Sequence, residues 1–178
     1  MGHLLLVTGG VRSGKSRHAV ERARVWGPHV LFLATCQPED DEMRERVRRH
    51  QADRPKTWMT VEQDHDLCAI IQGYGSQCDG ILVDCLTLYV ARLVTSGHGE
   101  HEAAREAEEI CLGLQAAACP SAIVTDEVGW GVVPSTPLGR LFRDAVGCAN
   151  QVAARYAHEV VLMVCGLPTV IKGTADEH

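Results

Sequence analysis

HLLLVTGGVRSGKSRHAVERA, residues 3–23, decides the fold. The run HLLLVT (3–8) is nearly continuous in apolar character, as expected of a strand covered on both faces. The next eight residues, GGVRSGKS (9–16), match G-x-x-x-x-G-K-[ST] in full. A helical pattern follows, so the motif has the strand–loop–helix context its chemistry requires. Glycines let the backbone curl so that its N–H groups face phosphate oxygens, and the helix N-terminus adds positive potential. In this reading Gly9, Gly10, Val11, Arg12, Ser13, Gly14, Lys15 and Ser16 form a nucleotide-binding loop. Lys15 reaches the β- and γ-phosphates as a catalytic residue, and the Ser16 hydroxyl is a ligand for Mg2+.

Working outward, the same alternation repeats. VLFLAT (30–35), GILVD (80–84), SAIVTD (121–126) and EVVLMVC (159–165) read as further buried strands, with TWMTVE (57–62) as another. TVIK (169–172) reads as a weak terminal strand. Helical patterns occupy 15–26, 64–72, 86–96, 99–118 and 136–157. Strand–helix alternation predicts a three-layer α/β fold of the P-loop NTPase type with a mostly parallel sheet. No repeat or linker divides the chain, so residues 1–178 read as one catalytic domain.

A phosphate loop needs a carboxylate for its metal, and in open α/β sheets that group lies at a strand's carboxyl end. Asp84 ends GILVD and is the first candidate, alongside Ser16, for Mg2+. Asp126, followed by Glu127, is a second. One helical segment, DEMRERVRRH (41–50), has only Met43 and Val47 as apolar residues, with His50 continuing their face. Such a narrow stripe cannot cover a sheet. It predicts an excursion on the rim, at residues 36–56, that carries His50.

Composition excludes several classes. Twenty-three acidic residues against 17 Lys and Arg give a net charge of −6, and aromatics are only 4%, which disfavours a nucleic-acid surface. The eight cysteines contain no C-x-x-C pair, so reduced thiols in a cytoplasmic protein are expected, with Cys85 and Cys165 acting as small hydrophobes inside apolar runs. No apolar run approaches the ~18 residues of a membrane span. DEVG (126–129) fits the γ-phosphate sensor of a GTPase switch. The guanine-reading N-K-x-D is impossible, however, because the chain's only asparagine is Asn150. A small-molecule kinase passes these tests but leaves residues 41–58 without a purpose.

Those residues carry a more specific signal. LVTGGVRSGKSRHAV (6–20), FLATCQPEDDEMRERVRRHQADRPKTWMTVE (32–62), LVDCLTL (82–88), DEVGWGVVP (126–134), LGRLFRDAVGCANQVAA (138–154) and GLPTVIK (166–172) span most of the chain. In these stretches the chain resembles the bifunctional adenosylcobinamide kinase / adenosylcobinamide-phosphate guanylyltransferase family of cobalamin biosynthesis. The resemblance implies two reactions. An ATP- or GTP-dependent step phosphorylates a hydroxyl of adenosylcobinamide. A second step transfers GMP from GTP to adenosylcobinamide phosphate through a GMP–histidine intermediate, releasing pyrophosphate.

By the same resemblance His50, which precedes Gln51 in H-x-x-x-R-P, is the nucleophile. A neutral imidazole nitrogen can attack the α-phosphorus, so the step should slow below its pKa, near ~6.5 for an unperturbed histidine. Nucleotide contacts are implied at Ala34, Thr35, Cys36, Gln51, Ala52, Asp53, Arg54, Glu62 and Asp84, and a homotrimer as the assembly. The chain departs from the family pattern at Asp126, where asparagine is usual, and at Cys148, where an arginine is lost. Two other readings stay open: a P-loop kinase for a different hydroxylated metabolite, and a nucleotide-gated regulatory subunit.

Overall fold

The computed structural model describes residues 2–36, 54–62, 65–75 and 77–173. Among these, seven strands form one sheet in the order β3-β2-β4-β5-β1-β6-β7. They are β1 (Leu4–Gly9), β2 (Val30–Ala34), β3 (Met59–Glu62), β4 (Gly80–Asp84), β5 (Ser121–Val124), β6 (Glu159–Val164) and β7 (Leu167–Lys172). All neighbours run parallel except β6 and β7, which form an antiparallel hairpin. Helices α1 (Lys15–Ala23), α2 (Leu67–Tyr74), α3 (Leu86–Thr95), α4 (Glu100–Ala116) and α5 (Pro137–Tyr156) connect them.

Strand side chains alternate between two cores, which is why the strands read as continuously apolar. Leu4, Leu6, Leu31, Leu33, Ile81, Val83 and Ile123 face α2, α3, α4 and α5. Leu5, Val7, Phe32, Leu82, Ala122, Val124 and Val161 face α1 and Trp58. Helices therefore lie on both sides of the sheet, in the three layers the alternation predicts.

Boundaries differ from the sequence reading in instructive places. α1 stops at Ala23 rather than at residue 26, and Trp26, beyond its end, lies against Gly80. A Cβ on that glycine would meet the indole at 2.3 Å. β7 begins earlier than TVIK and takes in Pro168, which a strand at the sheet edge accommodates without losing a ladder hydrogen bond. Cys165, expected inside β6 as a buried hydrophobe, instead occupies the β6–β7 turn at φ 52° and is exposed. Cys85 is buried as expected, and none of the eight cysteines is in a disulfide. Most of the predicted rim excursion, with His50, lies outside the described residues.

Candidate active site

The glycine-rich loop connects β1 to α1, and its backbone explains its glycines. Gly9 has φ 148°, and a Cβ there would stand 2.5 Å from the Met163 carbonyl oxygen. Gly14 has φ 96° and is the N-cap of α1. Both conformations lie where only glycine is unstrained. The loop is fixed by the Ser13 N–H donating to Gly10 O at 3.2 Å and by the Gly166 N–H donating to Ser13 O at 3.0 Å. Lys15 is buried, and its Nζ donates to Gly10 O at 2.7 Å while standing 2.6 Å from Asp126 Oδ1.

Asp126 is there because β5 lies directly beside β1. The Thr125 N–H donates to Val7 O and the Glu127 N–H to Gly9 O, which carries the β5 exit across the root of the loop. Asp84 leaves the next strand out, β4, one position further from Lys15. Thr35, buried beyond β2, ties that edge together: its Oγ1 accepts from the Cys85 N–H and donates to Cys85 O, at 2.8 and 2.7 Å. The register puts Glu62, Ala34 and Asp84 in one row at the carboxyl ends of β3, β2 and β4.

These ends surround a cavity of about 410 Å3, lined by Val11, Lys15, Ser16, Ala34, Cys36, Arg54, Asp84, Cys85, Leu88, Val124, Asp126, Glu127 and Val128. Of the residues singled out from sequence, Val11, Lys15, Ser16, Ala34, Cys36, Arg54, Asp84, Asp126 and Glu127 meet there. Gly9, Gly10, Arg12, Ser13 and Gly14 form the rest of the loop, Thr35 supports the wall from behind, and Glu62 is exposed at its end of the row. His50, Gln51, Ala52 and Asp53 lie outside the described residues.

Arg54 is the second cation of the cavity. Its guanidinium carbon stands 3.3 Å from the centroid of the Phe32 ring, a cation–π contact. Nη1 is buried and has no hydrogen-bond partner among the described residues. Burial lowers its pKa, and the charges of Asp84 and Glu62 oppose that shift. A half-buried guanidinium with an unused donor, stacked on an aromatic ring, is suited to a phosphate or carboxylate oxygen. Cys85, by contrast, is kept neutral: burial, reinforced by Asp84, pushes its thiol up to about 12.

Ser16 and Asp84 offer a hydroxyl and a carboxylate to the same cavity, hard oxygen donors that fit Mg2+. Among the described residues no group of three or more His, Cys, Asp or Glu side chains could hold a metal. A magnesium ion bound mainly through substrate phosphates needs only one or two protein ligands.

Sequence reading missed the support behind the acidic wall. Asn150 of α5, 9% exposed, donates from Nδ2 to Asp126 O at 3.0 Å and to Glu127 Oε1 at 3.4 Å, and accepts from Thr125 Oγ1 at 2.6 Å. Thr87 Oγ1 accepts from the Asp126 N–H at 2.6 Å and lies 3.2 Å from Thr125 Oγ1. The one available signal was a lone polar residue on the apolar face of a helix. After Val128 the chain turns outward, leaving Trp130, Val132 and Val133 exposed by 67%, 97% and 66%. No described helix is long and apolar enough to cross a membrane.

The chain shares its fold with a KaiC-like protein from Pyrococcus horikoshii, at a TM-score of 0.58 and 14% identity, over 90% of this chain and 72% of that one. The bifunctional adenosylcobalamin biosynthesis protein CobU of Salmonella typhimurium is 41% identical over 95% of this chain and 99% of its own length. The CobU protein of Escherichia coli is 39% identical over the same shares. CobP of Pseudomonas aeruginosa is 38% identical over 94% of this chain and 96% of its own. The signature of the cobinamide kinase / cobinamide phosphate guanyltransferase family matches residues 5–171, so the chain belongs to that family.

Proposed function

We propose that this chain is a bifunctional enzyme that phosphorylates adenosylcobinamide and then transfers GMP from GTP to the product. The observation that carries the reading is the convergence of Lys15, Ser16, Asp84 and Arg54 on one cavity behind a phosphate loop. In the first reaction the acceptor hydroxyl oxygen attacks the γ-phosphorus of ATP or GTP, and the nucleoside diphosphate leaves. In the second, a neutral nitrogen of His50 attacks the α-phosphorus of GTP and pyrophosphate leaves. A phosphate oxygen of adenosylcobinamide phosphate then attacks the same phosphorus, and the P–N bond breaks to give adenosylcobinamide-GDP.

The protein's task in each step is positioning and charge neutralisation. Loop N–H groups and Lys15 hold the phosphate chain, Arg54 takes a further oxygen, and Gln51, Ala52, Asp53, Ala34, Thr35, Cys36 and Glu62 complete the nucleotide contacts. Mg2+, when bound through Ser16 and Asp84, supplies further charge neutralisation on the phosphates. The exposed Trp130, Val132 and Val133, just past Val128, offer an apolar face to the non-nucleotide acceptor. In the same reading residues 1–178 form one catalytic domain, with residues 36–56 as the excursion that carries His50, in a cytoplasmic homotrimer. The exposed Leu167 and Ile171 of edge strand β7 are available for contact between subunits.

Incubation with α-32P-GTP and Mg2+ tests the covalent step. Acid-labile, base-stable label should form on the protein and should be absent from His50→Ala. Label that persists in His50→Ala refutes the nucleophile. Lys15→Ala should lose both labelling and kinase turnover.

A further inference from the structure

The phosphorylation step needs a group to accept the proton of the attacking hydroxyl, and three carboxylates line the cavity: Asp84, Asp126 and Glu127. Asp126 is held by Lys15 at 2.6 Å. Asp84 ends β4, at the position the proposed function gives to the metal. Glu127 is left, and it is bound in an unusual way. Its Oε1 accepts from Thr8 Oγ1 at 2.8 Å and from Asn150 Nδ2 at 3.4 Å. Among the described residues Oε2 has no hydrogen-bond partner.

The polarity of that arrangement is fixed by the network behind it. Thr125 gives its only hydroxyl hydrogen to Asn150 Oδ1, which orients the amide so that Nδ2 points to Glu127. Two donors converging on Oε1 require that oxygen to be an acceptor, so any proton Glu127 gains must reside on Oε2. One oxygen is anchored and the other free, in a cavity beside the phosphate-binding lysine. That is the geometry of a general base.

We propose that Glu127 is the catalytic base of the kinase step, with Thr8 and Asn150 as its positioning residues. This rests on the proposed phosphorylation of a hydroxyl. As the acceptor oxygen bonds to the γ-phosphorus, its O–H bond breaks and the proton passes to Glu127 Oε2. The bond from the γ-phosphorus to the β–γ bridging oxygen breaks, the nucleoside diphosphate departs, and Glu127 afterwards returns the proton to water. Guanylylation makes no such demand: the imidazole nitrogen of His50 that attacks carries no proton, and the acceptor of the second transfer is an ionised phosphate. Glu127 therefore serves one of the two reactions.

The experiment measures both activities of the full chain in wild type, Glu127→Gln and Glu127→Ala. Phosphorylation of adenosylcobinamide by ATP should fall in kcat by about 10²–10³-fold in both variants, with KM values within about threefold. Labelling by α-32P-GTP should be retained, which also shows that the variants fold. Formate should restore part of the kinase turnover to Glu127→Ala and none to Lys15→Ala. Kinase turnover unchanged in Glu127→Gln overturns the assignment. So does a parallel loss of labelling, which would place Glu127 among the nucleotide or metal contacts. A wild-type chain that labels with GTP but leaves adenosylcobinamide unphosphorylated overturns the kinase reading itself, and the base with it.

Discussion

Asp126→Asn should make this protein bind nucleotide more tightly. Lys15 Nζ and Asp126 Oδ1 are 2.6 Å apart, with the lysine side chain 7% exposed and the aspartate 29%. At an effective dielectric constant of ~20 the gross attraction at that separation is about 6 kcal/mol. Desolvation of the lysine and screening of the part-exposed carboxylate reduce the net value to about 1–2 kcal/mol. To engage a β- or γ-phosphate, Lys15 has to give up this partner, and the carboxylate then faces an incoming polyanion. Asparagine removes both penalties while leaving the backbone bonds of residue 126 to Thr87 and Asn150 in place. The expected gain is about tenfold in Kd for GTP and ATP, equivalent to about 1.4 kcal/mol. Calorimetric titration of wild type and variant at matched ionic strength and Mg2+ reads it directly. The nucleotide-free variant should also melt about 2–4 °C lower for each kcal/mol of ion pair lost, and recover more on adding nucleotide. An unchanged or weaker Kd would refute the competition and make Asp126 a partner of the bound nucleotide or its metal.

Two further outcomes are expected. Arg22 donates to both oxygens of the buried Glu159, at 2.8 and 2.7 Å, so Arg22→Ala should cost about 2 kcal/mol and lower the melting temperature by about 4–8 °C. The hydrogen bonds from Arg22 hold the Glu159 carboxyl below its ordinary range. The pair's contribution is therefore present at neutral pH and lost as pH falls through that depressed value, so melting curves of variant and wild type should converge in acid. Trp130→Ala should raise KM for adenosylcobinamide at least several-fold and leave Kd for GTP unchanged, since Trp130 lies outside the nucleotide cavity lining; an equal loss of both would refute a separate acceptor face.

Much of the architecture was legible because it follows from local periodicity. Strands buried on both faces are apolar along most of their length, and β1, β2, β4, β5 and β6 are so in the sequence itself, with polar residues only at their ends. The phosphate loop was legible for a similar reason: its glycines answer a local backbone demand, visible at Gly9 and Gly14. The family resemblance likewise needed only residues in order. Two details differ: Trp26 lies beyond the end of α1 against the distant Gly80, and Cys165 occupies the β6–β7 turn outside the core.

The sequence by itself determined the elements, the phosphate loop and the set of candidate carboxylates, because each depends on residues close together in the chain. It put Asp84 first for the metal, but it could not say which carboxylate meets Lys15. Asp84 and Asp126 each end an apolar run, and nothing local distinguishes them on that point. The order β4-β5-β1 does, by inserting β5 next to the loop, so that Asp126 meets Lys15 while Asp84 stands a strand away. The same packing brings Asn150 from α5 and Thr8 from β1 against Glu127. Only tertiary structure decides such contacts, because strand order and helix docking minimise exposed apolar area across the whole sheet, and the polar partners follow from where that places them.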